Sequence, residues 1–192
     1  MEKTPPTGPT PNPPPKPKAR INLERASILL MDNHWGVELL TRVFMGFGAR
    51  QLHRAVSVAE ASALLAKLQI DLIVSEAVIE GEDVYEFVRT VRLGSEREPN
   101  RFVPVILLSA HTAAQKVAQA RDSGVNFFVA KPISPKVIMD RVLWVANGKR
   151  QCLETDTYAG PDRRFRDDTP PPGMLGRRRH DPKMVAPVEN TA

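Results

Sequence analysis

The sequence predicts an α/β fold in which five parallel strands form one doubly wound sheet with helices on both faces. Three observations carry that prediction. Four short apolar runs and one short mixed one alternate with five segments whose apolar residues recur every three or four positions. The runs are mostly continuous rather than alternating, as expected of strands buried on both faces of a parallel sheet. The prolines also mark out a domain: of 18, eight lie in the first twenty residues and six after residue 149, leaving four between.

The elements follow in order. Ser27 to Asp32 (SILLMD) reads as a buried strand ending in an acid, and Val37, Leu40, Val43, Phe44 and Phe47 give the first helical face, stopped at Gly48. Residues 49–54 make a short second strand, and Val58, Ala61, Leu64, Leu65 and Leu68 a second helical face. The third strand is 71–76, followed by a helix carrying Val84, Phe87, Val88 and Val91. Val103 to Ser109 is the fourth strand, and Thr112 opens a helix ending near Gly124. Asn126 to Ala130 is the fifth strand, and Ile138, Val142 and Val145 mark the last helix.

The organisation expected is a Pro-rich disordered arm over 1–22, a domain over 23–149, and a disordered Arg/Asp/Pro-rich tail over 150–192, because the ends hold too few bulky apolar residues to offset their ordering entropy. The net charge of +5 is not a footprint for nucleic acid. Residues 1–22 hold four basic and one acidic residue, residues 23–149 fifteen and fourteen, and the rest eight and seven. A single cysteine, Cys152, excludes an internal disulfide, fits a reducing compartment and reads as a plain surface thiol in the tail. With no apolar leader and no run long enough to span a bilayer, the chain reads as cytoplasmic, without membrane insertion.

Doubly wound sheets bind and react at the carboxyl ends of their strands. Those ends supply Asp32, Glu76, Ser109 and Lys131: two acids, a hydroxyl and an amine, a set suited to a cation beside an oxyanion. His34 and His111 stand near the same rim without metal-ligand spacing and read as loop residues.

The segments ILLMDN, DLIVSEAVIEGEDV, VPVILLSAH and GVNFFVAKP resemble the receiver domain of two-component response regulators, the CheY-like branch of flavodoxin-type folds, over roughly residues 25 to 148. The resemblance implies that Glu76 stands where the family carries the aspartate that accepts a phosphoryl group from a histidine kinase. It places Ser109, Phe128, Lys131 and Pro132 at the family's Ser/Thr, switch aromatic and Lys-Pro. Gly81 and Asp83 match the following loop, with Glu80 where proline is usual. The family's paired acids fall on Met31 and Asp32, so one has become apolar. Positioning within a fraction of an ångström and metal neutralisation govern phosphoryl transfer. The changed acid and the lost one therefore imply a pseudo-receiver without catalysis of its own, with weak or absent Mg²⁺ at Asp32 and Glu76. Glu76 is left with two roles: pairing with Lys131 to hold an active-like pocket, or persisting as a tolerated acid.

In the tail, Arg163-Arg164-Phe165-Arg166-Asp167 repeats fourteen residues later as Arg177-Arg178-Arg179-His180-Asp181, the same RRxxD. Arginine forks suit the Hoogsteen edge of guanine, and aspartate accepts from its N–H groups. Two such units fit a ligand with two guanines and two phosphates, as in cyclic di-GMP. The pattern resembles the arginine-rich extensions of the CheY-like Cle group, which bind that ligand and act at the flagellar motor. The candidate ligand residues are Arg163, Arg164, Arg166, Asp167, Arg177, Arg178, Arg179 and Asp181. The expected function is a partner-binding signalling module with cyclic di-GMP sensing, monomeric or weakly dimeric, its partner a histidine kinase, a flagellar motor component or an enzyme. The alternative is a phosphorylatable single-domain regulator with an inert tail.

Overall fold

Chain order in the computed structural model is β1 (Ser27–Met31), α1 (His34–Gly46), β2 (Gln51–Ala55), α2 (Val58–Leu65), β3 (Leu72–Glu76), β4 (Val78–Ile79), β5 (Glu82–Asp83), α3 (Val84–Leu93), β6 (Val105–Ser109), α4 (Ala114–Ser123), β7 (Phe127–Ala130), α5 (Pro135–Asn147), β8 (Cys152–Thr155), β9 (Tyr158–Pro161) and β10 (Lys183–Val185). The structure describes residues 22–95, 98–110, 113–147, 151–162 and 183–185. The proline arm, His111 and the arginine repeat from Arg163 to Asp181 lie outside the described residues.

The five expected strands form one parallel sheet in the order β2-β1-β3-β6-β7. Alternation along each strand divides its apolar side chains between two cores. Leu29, Met31, Ile73 and Leu107 pack with α2, α3 and Ala120 of α4, while Ile28, Leu30, Val74, Ile106 and Leu108 pack with Leu40 and Phe44 of α1 and Ile138 and Val142 of α5. Both faces are therefore covered, and the polar chemistry is left to the strand ends.

Local signals set the helix bounds. The Asn33 side chain accepts from the Gly36 amide at the start of α1, and Ser57 accepts from Glu60 at the start of α2. Gly124, at φ 92°, ends α4 in the left-handed conformation. A small hairpin, β4–β5, was not expected. It turns through Glu80 and Gly81 at φ 52° and 84°, so Glu80 stands in a left-handed turn that proline's fixed φ cannot enter.

The tail expectation is corrected in one place. The expectation of a wholly disordered tail after residue 149 gives way where β8 and β9 form an antiparallel hairpin and β10 pairs with the other edge of β8. Leu153 and Ala159 are buried. Two buried arginines lie at the docking site, and one of them, Arg101, pairs with the hairpin directly. Arg92 donates to the carbonyls of Gly124 (3.1 Å), Arg101 (2.7 Å) and Val103 (2.7 Å). Arg101 donates through Nε to the Arg92 carbonyl at 2.8 Å and ion-pairs with Glu154 of β8. The chain after residue 149 thus supplies the carboxylate for a guanidinium buried in the domain.

Candidate functional site

Strand register brings the expected side chains together. Met31 is level with Ser75 of β3, Glu76 with Leu108 of β6, and Ser109 with Ala130 of β7. Asp32 leaves the end of β1, Glu76 closes β3, Ser109 closes β6, and Lys131 follows β7 through a cis Lys131-Pro132 peptide. The Lys131 amide donates to the Ser109 carbonyl at 2.8 Å, tying the lysine to the buried serine.

At the centre, Lys131 Nζ makes a direct ion pair with Glu76 Oε2 and stands 3.7 Å from Asp32 Oδ2. The carboxylates are sheltered, with side-chain exposures of 4% for Asp32 and 14% for Glu76, while Lys131 keeps 33%. The ammonium therefore reaches in from the solvent side to bridge one buried and one partly buried acid. Asp32 Oδ1 also accepts from the Asn33 amide at 2.7 Å. Gly36, in the first turn of α1, has no room for a side chain: a Cβ there would overlap the Asp32 carboxylate. That glycine lets the helix start close over the acid.

The other expected positions are distributed as follows. Met31 is buried in the core and presents no hard donor to the pocket. Phe128 is half-buried and packs into the core shared by α2, α3 and α4. Asp83 pairs with Lys116 of α4 at 3.3 Å, and that ammonium also lies 5.5 Å from the centre of the Tyr85 ring. His34 is exposed on α1, and no cluster of three metal-ligating side chains occurs among the described residues.

Tyr85 was missed by the sequence reading. It is buried at the start of α3, and its phenol is pushed up by burial, then by the carboxylates of Asp83 and Glu76. A tyrosine one position after the apolar start of a helix gave little signal, because its proximity to Glu76 comes from the β4–β5 turn.

The arrangement matches a known family. The family model of the response regulator receiver domain covers residues 28–143. The chain belongs to this family. Among curated relatives of this receiver, the transcriptional regulatory protein AfsQ1 of Streptomyces coelicolor is 28% identical over 113 residues, 57% of this chain and 48% of its own length. The transcriptional regulatory protein YvrH of Bacillus subtilis is 26% identical over 136 residues, 70% of this chain and 55% of its own. The receiver chain thus spans about half the length of these relatives. Among solved structures, the chemotaxis response regulator CheY4 of Vibrio cholerae is 22% identical with a TM-score of 0.55, covering 61% of this chain and 95% of that one. A response regulator from Chloroflexus aurantiacus is 27% identical with a TM-score of 0.54, covering 62% and 95%. The receiver domain of a sensor histidine kinase from Pseudomonas aeruginosa, with a magnesium ion in its active site cleft, is 21% identical with a TM-score of 0.52, covering 62% and 95%. Among the described residues, no helix of the receiver is long and apolar enough to cross a membrane.

Proposed function

We propose that this receiver is a partner-binding module of two-component signalling whose pocket is governed by the Lys131–Glu76 ion pair and not by phosphoryl transfer. The observation that carries the reading is the ammonium of Lys131 seated on Glu76 and close to Asp32. Glutamate extends its carboxylate one methylene further than aspartate, toward the space an attached phosphoryl group would need. A lysine on that oxygen competes with any electrophile or cation for the same lone pairs. Magnesium needs several hard oxygen ligands in near-octahedral array. Two carboxylates already shared with an ammonium, beside the thioether residue Met31, are a poor set for it, so binding is weak. The module has no catalysis of its own, and it acts in the cytoplasm as a monomer or weak homodimer.

Its partner is a signalling protein: a histidine kinase, a flagellar motor component or an enzyme. Ser109 and Phe128 keep the link between pocket and the α4–β7–α5 face, where Val117, Val137 and Trp144 are partly exposed. The rival reading is a phosphorylatable single-domain regulator with an inert tail. Incubation with acetyl phosphate and Mg²⁺, followed by intact-protein mass spectrometry, separates the two. The proposed function predicts no acid-labile phosphoryl adduct. An adduct on the wild type that disappears in Glu76→Ala would establish the rival.

A second reading concerns the arginine repeat, and the pairing of β10 with β8 favours it. The segment between β9 and β10 begins and ends on one small sheet, which reduces the entropy lost when both RRxxD units gather around one ligand. The ligand chemistry is that of cyclic di-GMP. Calorimetric titration of the full chain should give micromolar or tighter binding that is lost in the Arg164→Ala, Arg178→Ala double variant. No heat with the wild type would remove the reading.

A further inference from the structure

The hairpin after residue 149 sits at the end of the sheet opposite the pocket. Its contacts fall on α3, on Arg101 ahead of β6 through Glu154, and on Gly124 ahead of β7. Gly124 and Gly160 meet there backbone to backbone. A Cβ at Gly124 would come within 2.6 Å of the Ala159 carbonyl oxygen, and one at Gly160 within 2.8 Å of the Gly124 Cα. Both are buried and both hold positive φ, 92° and 152°.

Helix α4 packs on α3 and β7 as well as on β9, but it buries few side chains of its own. Of its ten residues only Ala120 and Ser123 are buried, both in the last two turns, and its N-cap makes no side-chain hydrogen bond. At the other end its tie is the solvent-accessible Lys116–Asp83 pair, a kind of pair worth little by itself. The C-terminal end is also where Arg92 joins the elements. The guanidinium holds the Gly124 carbonyl and, at 3.4 Å, Asn126 Oδ1, and that same Oδ1 accepts from the Val105 amide at 2.9 Å. Through Arg101, the carboxylate of Glu154 completes this cluster from the hairpin side.

We infer that the β8–β9 hairpin is a built-in clamp on α4: docked, it fixes the C-terminal end of that helix and the start of β7, and released, it frees the α4–β7 face. The chain beyond the five-stranded sheet thereby controls a face of the receiver from the end away from the pocket. The inference stands on the Gly124–Gly160 contact and the arginine cluster, and it holds whether or not Glu76 accepts a phosphoryl group.

Hydrogen exchange on the full-length protein tests it, comparing wild type with Gly160→Val and Glu154→Gln. Valine at Gly160 cannot take the backbone conformation or the space. Glutamine at Glu154 keeps the volume and removes the charge. The clamp predicts that amides of α4 and the first residues of β7 exchange at least about tenfold faster in Gly160→Val, and faster to a smaller extent in Glu154→Gln, with β1 and β3 unchanged. Should Gly160→Val fail to fold, Glu154→Gln decides alone. Unaltered exchange in α4, or an equal acceleration over all five strands, would overturn the inference.

Discussion

Lys131 serves two carboxylates from one partly exposed position, and the cost of removing it depends on how well water can replace it. Glu76 is sheltered enough that an unpaired charge there is unfavourable. Lys131→Ala and Glu76→Gln should each lower stability by about 1–3 kcal/mol in urea unfolding, below the cost of breaking a fully buried pair. The double variant should cost less than the sum, because neither charge is left alone. Strictly additive losses would show that the pair is not coupled. Gly36 is a second sensitive position. Gly36→Ala forces a methyl group onto the Asp32 carboxylate and should cost about 1–3 kcal/mol, while alanine at the open Gly46 of the same helix should be tolerated. Cys152, expected to be an ordinary surface thiol, is instead half-buried at the start of β8 in the hairpin. Burial pushes its thiol above the ordinary value of 9.0, and the nearby Arg92 charge offsets this only in part. An acid whose folded pKa is raised contributes stability that is fully present below the unfolded pKa and is lost as pH rises from there through the folded value. The hairpin should therefore loosen above about pH 9, and at pH 7.5 disulfide reagents should label Cys152 more slowly than an unfolded thiol. Labelling at the unfolded rate would contradict the docked position.

Four of the five sheet strands were legible because each is a short, nearly continuous apolar run, β2 (QLHRA) followed from its place between two helical faces, and the strand-end acids and lysine followed from their places after those runs. The β4–β5 hairpin was not, since two-residue strands leave no periodic trace. The β8–β9 hairpin escaped for a different reason. Its sequence, CLETDTYAGP, has little apolar content, and its attachment relies on buried arginines and on two glycines whose backbones touch. One signal was available: Arg92 lies four residues after Val88 on the apolar face of α3, and a guanidinium there demands buried acceptors. Burial pulls that guanidinium down to about 10, yet it stays charged at neutral pH. Arg92→Ala should orphan several buried carbonyls and destabilise the protein by about 3–5 kcal/mol, measurable by thermal or urea unfolding. A loss under about 1 kcal/mol would mean that water replaces the guanidinium readily.

The receiver carries its polar groups at two opposite ends of one sheet. One end holds the Asp32–Lys131–Glu76 pocket, the other the arginine cluster covered by the hairpin, and the central strands connect them through two tightly buried cores. On the proposed function, Lys131 takes the place a divalent cation would need. Trp35, in the first turn of α1 three residues after Asp32 and 87% exposed, is positioned to report on that place by its fluorescence. A magnesium titration of the full-length protein, with Lys131→Ala alongside, is the direct measurement. The expected result is a wild-type dissociation constant weaker than about 1 mM, that is, less than about 4 kcal/mol of binding, with tighter binding once the ammonium is removed. Saturation of the wild type well below that concentration, unaffected by Lys131→Ala, would contradict the account.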